Sequence, residues 1–121
     1  MAGSKSVHAN VCFEQGFIGV DYDVDFSVAD FLNADLRSFN ESFKPKFHSM
    51  FPERSKIAVG LACTFIWTVA AGLDDGDVIL TPDGKGNYRV GEITGSYSYV
   101  PDAVLPHRRK VRWLDVLIKR S

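Results

Sequence analysis

The stretch Ile57–Leu73, IAVGLACTFIWTVAAGL, carries no charge over 17 residues, and its reading decides the fold. A membrane span needs roughly 20 predominantly apolar residues. This run is shorter, contains Gly60, Thr64 and Thr68, and leads straight into Asp74, Asp75 and Asp77. No aromatic belt flanks it. It therefore reads as a helix buried in a protein core, spanning about 56–71, with Gly72 placed as its C-cap.

Downstream of this helix the hydrophobic period changes from helical to extended. Asp77–Thr81 (DVILT) and Tyr88–Thr94 (YRVGEIT) are strand-like and flank Asp83-Gly84-Lys85-Gly86, a hairpin signal. Gly95–Val100 alternates polar and aromatic residues, Pro101–Pro106 reads as a loop, and Lys110–Ile118 as a strongly apolar last strand. Upstream, Ser27 opens a helical pattern with Asp30 as a capping-box variant. Val28, Phe31, Leu32, Leu36, Phe39 and Phe43 line one face of it, which predicts a helix over 27–44 that Pro45 breaks. Ala9–Phe13 and Phe17–Val20 suggest a strand pair or one bent strand. The expected architecture is α+β, one domain over 1–121, with two packed helices on a small, curved, partly open β-barrel whose sheet contains 77–81, 87–94 and 110–118.

Composition bounds the rest. The chain has 121 residues, 45% of them hydrophobic and 24% charged, which excludes disorder and collagen-like repetition. The net charge of −1 gives no global positive field. It does hide an asymmetry: Asp21, Asp23, Asp25, Asp30 and Asp35 crowd the first third, whereas Arg108, Arg109, Lys110, Arg112, Lys119 and Arg120 crowd the C-terminus. Cys12 and Cys63 lie in apolar stretches outside any metal-ligand spacing. They read as buried thiols of a reducing, cytoplasmic compartment. The polar start, Met1–Asn10, has no apolar signal core.

Catalytic signals are weak. Pro82-Asp83 followed by Glu92-Ile93-Thr94 mimics the two-carboxylate-and-lysine pattern of magnesium nucleases, but Thr94 stands where lysine must polarise water. Asp74, Asp75 and Asp77 read as a solvated turn. Gly84-Lys85-Gly86 precedes a strand and lacks the helix dipole of a phosphate loop. His8 and His48 have no companions at motif spacing. No catalytic residue, metal ligand or cofactor is expected. The most informative chemistry is His107-Arg108-Arg109-Lys110 with Arg112, which reads as a phosphate anchor or as a sheet edge guarded by charge. Tyr97 and Tyr99 upstream favour the anchor, because aromatics interleaved with cations suit base stacking. Trp113 reads as core or as part of that stack.

Three features in order, GDVIL, GEITGSYSY and HRRKVRWL, resemble the small PUA-like domains related to the EVE and YTH folds. Such domains are attached to prokaryotic restriction endonucleases of the Mrr and McrB kinds. GFIGVDYDVDFSVADF looks like the first barrel strand of the same fold. The resemblance implies a non-enzymatic DNA reader that accepts a flipped, often methylated base. Its pocket would be walled by Asp21, Tyr22 and Trp67, and Tyr97, Tyr99 and His107 to Lys110 would form the rim facing the nucleic-acid backbone. The implied partners are DNA and an attached nuclease or ATPase module, with no membrane, so the chain is expected to be a stand-alone reader or part of a larger restriction protein. The low net charge leaves open a domain that senses a small nucleotide or other ligand. A minimal metal nuclease on Asp83 and Glu92 is the third reading.

Overall fold

A computed structural model of the chain describes residues 8–32 and 35–119. The described elements are α1 (Ala9–Gln15), β1 (Phe17–Val20), a 3-10 turn (Ala29–Phe31), α2 (Leu36–Met50), α3 (Lys56–Trp67) running on as a π turn (Thr68–Gly72), β2 (Val78–Pro82), β3 (Asn87–Ile93), β4 (Ser98–Tyr99) and β5 (His107–Lys119). This is an α+β chain with a curled, partly open antiparallel sheet in the order β1-β5-β3-β2, to which β4 adds along β5. No helix of the described residues is long and apolar enough to cross a membrane.

The two long helices, α2 and α3, each begin where a side chain caps them. Asp35 accepts from the Ser38 N–H at 2.8 Å and Ser55 from the Ala58 N–H at 3.1 Å. Ser27 Oγ does accept from the Ala29 N–H at 3.2 Å, but only Ala29–Phe31 follow as a single 3-10 turn; the regular helix starts nine residues beyond the expected origin. Asn33 and Ala34, inside the expected helix, lie outside the described residues, as do residues 1–7, Arg120 and Ser121.

Pro45 was expected to end α2, yet the helix passes through it to Met50. An interior proline costs about 3 kcal/mol. Phe39, Phe43 and Phe47 follow one another at four-residue spacing, and each is completely buried. Burying one Phe side chain contributes about 1.5–3 kcal/mol. Continuing past Pro45 docks Phe47 and packs Phe51 on the same cluster, which offsets the missing hydrogen bond. Val59, Ala62, Cys63 and Ile66 of α3 fill the facing side of this core.

Ala9–Phe13 is helical rather than extended. Ala9 and Cys12 face inward three residues apart, and Phe13 packs beside them, so the run obeys the helical period as well as the strand one. Gly16 ends α1 at φ 72, a left-handed cap that only glycine adopts cheaply. Trp113 fastens α1 to the sheet. Its Nε1–H donates to the Cys12 carbonyl at 2.9 Å and its ring meets Phe13 edge-on at 4.8 Å.

The sheet has one long strand as its axis. β5 pairs with β1 through Val20↔His107 to Phe17↔Lys110, with β4 through Ser98↔Arg108, and with β3 through Ile93↔Val111 to Asn87↔Lys119. The last strand therefore starts at His107, three residues before the expected Lys110. Gly91 sits opposite Trp113 at an irregularity in this pairing. A Cβ there would meet Val111 Cγ1 at 2.5 Å and Trp113 Cε3 at 2.8 Å, so the indole lies where a side chain would stand. Gly91→Ala is expected to destabilise the chain by about 1–3 kcal/mol through overpacking. Urea denaturation measures it; an unchanged midpoint would show that Trp113 is free to move.

Candidate nucleic-acid interface

The end of β1 turns sharply through Asp21–Val24. The Val24 N–H donates to the Asp21 carbonyl at 3.2 Å, and Tyr22 and Asp23 both adopt positive φ, 51 and 61. Two consecutive left-handed residues make this the mirror-image turn usually built from Asn and Gly. Each non-glycine there costs about 1–2 kcal/mol. Arg54 holds the turn from the α2–α3 connection: its guanidinium donates to Asp23 Oδ2 at 2.7 Å and to the Tyr22 carbonyl at 3.5 Å while lying 4.0 Å over the Phe51 ring.

The turn sets the Tyr22 ring parallel to Phe65 of α3, at an interplanar angle of 1° with centroids 6.4 Å apart. Phe65 is 40% exposed, and Leu61 and Ile57 continue its face toward the start of α3 at 53% and 77%. Asp21, also exposed, stands at the mouth of the turn. Burial raises the Tyr22 phenol above its ordinary pKa, so the ring carries no charge at neutral pH. Phe65 was not foreseen in the sequence because Ile57–Leu73 read as uniformly buried; the four-residue spacing of Ile57, Leu61 and Phe65 is the signal that one stripe faces outward.

Trp67 does not join this pair. It leaves α3 two residues after Phe65, hence about 200° around the helix, and its ring lies against Gly72, where a Cβ would meet Cζ3 at 2.7 Å. It packs on the core, and its indole nitrogen is shielded from solvent with no acceptor among the described residues. The expected C-cap at Gly72 is instead the last residue of the π turn, whose closing bond runs from the Leu73 N–H to the Thr68 carbonyl at 3.0 Å.

The basic cluster divides by strand alternation. His107 and Arg109 point inward, fully buried and 4% exposed, which removes both from the expected rim. His107 lies in a chain of four groups. The Val28 N–H donates to Tyr97 Oη at 3.0 Å, Tyr97 Oη contacts His107 Nδ1 at 2.8 Å, and His107 Nε2 contacts the Val24 carbonyl at 2.8 Å. The carbonyl can only accept, which assigns the proton to Nε2 and leaves Nδ1 to accept from Tyr97. Desolvation holds the imidazole pKa below its ordinary value, against smaller upward effects of the Val24 hydrogen bond and the Asp21 charge. Tyr97 is thereby structural. Tyr99, half-buried, tilts on the His107 ring at 5.2 Å.

Arg109 donates to the carbonyls of Val69, Leu73 and Gly95 and to Asp75 Oδ1 at 3.1 Å. Arg108 stacks 3.8 Å over Phe17 and donates to the Leu105 and Val104 carbonyls at 2.9 and 2.7 Å. Of the cluster, only Lys110 and Arg112 are exposed, and Arg112 is paired with Glu92 at 2.6 Å. That pairing also answers the carboxylate motif. Asp83 Oδ1 accepts from the Lys85 and Asn87 N–H groups inside the hairpin turn, and Glu92 lies five residues along β3 from Asn87, roughly 16 Å at strand rise. Among the described residues no group of three or more His, Cys, Asp or Glu is arranged to hold a metal. Cys12 and Cys63 are free and buried, and desolvation pushes both thiols up to about 11.

The family model of Domain of unknown function (DUF8426) matches residues 2–121, and the chain belongs to that family. No curated protein and no solved structure matches the chain.

Two outcomes follow from the buried His107 and Arg109. Folded His107 binds a proton more weakly than unfolded histidine, so its contribution to stability is full above about pH 6.5 and declines as the pH falls below that. The melting temperature is expected to drop between pH 7 and pH 5, and His107→Gln to flatten that slope; an equal slope in the variant would exclude His107 as its source. Arg109→Ala is expected to cost about 3 kcal/mol or more, since it strips three carbonyls of their donor. Chemical denaturation reads this directly, and a loss below about 1 kcal/mol would show that water replaces the guanidinium.

Proposed function

We propose that the chain is a non-catalytic, PUA-like DNA-recognition domain that receives an unstacked base, modified or plain, at the Tyr22–Phe65 pair. The observation that carries the reading is the pair itself: two parallel rings at the molecular surface, one set on a backbone turn that is costly to form. Aromatic faces of this kind accept any base, and each stacked base contributes roughly 1–3 kcal/mol. Asp21 beside the pair supplies an acceptor for an exocyclic amine, as reading the edge of a flipped base requires.

The rest of the interface is lighter than the sequence suggested. Lys110 and Arg112 remain to meet phosphates, and Lys110 pairs with Phe17 at the other end of β1, about 10 Å at strand rise from Val20, where the chain enters the Tyr22 turn. Few phosphate contacts mean a shallow salt dependence. A domain that grips the backbone so lightly owes its selectivity to the base and suits delivery of an attached nuclease or motor. Its pocket walls are Asp21, Tyr22 and Phe65; Trp67 acts as core.

A second reading, a domain sensing a small ligand for an attached effector, is favoured by a cleft of about 580 Å³ between α2 and α3, within the size range of small-molecule sites.

Titrating labelled single strands, and duplexes with one extruded base in methylated and unmethylated forms, tests the first reading. Tyr22→Ala and Phe65→Ala are each expected to weaken binding of the unstacked base by about ten- to a hundredfold. Lys110→Ala is expected to lower affinity for every sequence alike and to reduce the salt slope by about one. Binding that is indifferent to both ring substitutions in folded variants would overturn the proposal.

A further inference from the structure

The helical hairpin is a second basic part of a slightly acidic chain. Between residues 36 and 56 it carries Arg37, Lys44, Lys46, Arg54 and Lys56 against Glu41 and Glu53 alone. Arg37 and Glu41 pair with each other at 3.5 Å, Arg54 clamps the Tyr22 turn, and Lys46 lies over Phe26. Lys44 and Lys56 are left. They face the same cleft from opposite helices, with His48 one turn beyond Lys44. Pro45 and Val59 supply apolar wall between them. All three basic side chains are exposed and have no ion-pair partner among the described residues.

Lys44 and Lys56 set two ammonium groups on one cleft against a single carboxylate, Glu41, which also lines it and is paired with Arg37, so the cleft keeps an excess of positive charge that favours an anion. Asn40, one turn before Lys44, also lines the cleft, and its Oδ1 is shielded from solvent with no hydrogen-bond donor among the described residues. An amide whose acceptor is unmatched gains from a ligand hydroxyl, directly or after a flip of the amide. Anion-binding cations at the rim, an apolar wall and one amide together match a molecule with a phosphate head and an apolar or planar body.

We infer that the α2–α3 cleft binds a phosphate monoester, its phosphate held by Lys44, His48 and Lys56 and its apolar body lying on Pro45 and Val59. This site is separate from the Tyr22–Phe65 pair, which lies on another side of α3, and it does not depend on the DNA reading. A chain that binds the extruded base and ignores phosphate monoesters keeps the first proposal and loses this one.

The test is an amide chemical-shift titration of the full chain with phenyl phosphate, inorganic phosphate and phenol as separate probes. Phenyl phosphate is expected to perturb residues 40–48 and 56–59 in the submillimolar to millimolar range. Inorganic phosphate and phenol, each carrying half of the recognition, are expected to bind about tenfold more weakly or worse. The Lys44→Gln, Lys56→Gln double variant changes only exposed side chains. It is expected to keep its melting temperature and lose about tenfold in phenyl phosphate affinity. Pro45→Ala, at the exposed part of the apolar wall, is the second arm and should weaken phenyl phosphate while leaving inorganic phosphate unchanged. Absence of perturbation at millimolar phenyl phosphate, perturbation centred elsewhere, or unchanged affinity in the double lysine variant would each overturn the inference.

Discussion

A single guanidinium ties the helical layer to the sheet. Taking an arginine out of water costs several kcal/mol unless its donors find acceptors and a counter-charge. Arg109 finds them on three segments at once: the π turn after α3 through Val69 and Leu73, the loop after β3 through Gly95, and Asp75 in the connection to β2. Because β5 fixes Arg109 opposite Ile18 of β1, the same residue sets where α3 ends over the sheet. The π turn fits this demand. The carbonyls of Val69 and Leu73 both reach one guanidinium nitrogen, an arrangement that leaves the Leu73 N–H bonded five residues back rather than four.

His107, two residues earlier on the same strand, does the equivalent task for the irregular segment after β1. Its imidazole and the Tyr97 hydroxyl hold Val24 and Val28, whose side chains are completely buried among the phenylalanines of α2. The Tyr22 turn precedes Val24 directly, so both ends of that segment are secured, by His107 on the sheet side and by Arg54 on the helix side. A strained turn persists only where its surroundings over-determine it. Here a buried neutral imidazole and a half-buried guanidinium from different layers provide that determination, and the half-buried ring of Tyr22 is what the strain presents.

The elements legible in the sequence are those with one dominant period. Lys56–Trp67, Val78–Pro82 and Asn87–Ile93 were placed to within a residue or two at most ends, because a long apolar run and an Asp-Gly hairpin leave few alternatives. Ala9–Phe13 was not, since Val11, Cys12 and Phe13 in succession suit either period over so short a window. Pro45 misled because its local cost is outweighed by the burial of Phe47, a tertiary effect no local rule contains. At the candidate site, Asp21 and Tyr22 were legible as the end of the first strand. Phe65 was not, because hydropathy reports the sum over a helix and not its outward stripe. The basic run misled for a simpler reason. Beginning β5 at Lys110 hid the alternation that sends His107, Arg109 and Val111 inward together.

The fates of arginine and lysine in this chain follow from their different chemistry. A guanidinium offers five donors in a plane and is weakly hydrated, which suits it to gathering carbonyls or lying on rings; an ammonium is a compact, strongly hydrated charge. Each described arginine meets a carbonyl, a carboxylate or an aromatic face: Arg37, Arg54, Arg89, Arg108, Arg109 and Arg112. Of the lysines, Lys46 lies over Phe26, whereas Lys44, Lys56 and Lys110 stay solvated and unpaired among the described residues. The cations that look most like a nucleic-acid anchor in the linear sequence are thus largely engaged by the fold. The field felt by an arriving anion comes from lysines scattered over α2, α3 and β5. In a chain of nearly zero net charge, positions of free lysines on helix faces therefore say more about anion recognition than a run of arginines within a strand.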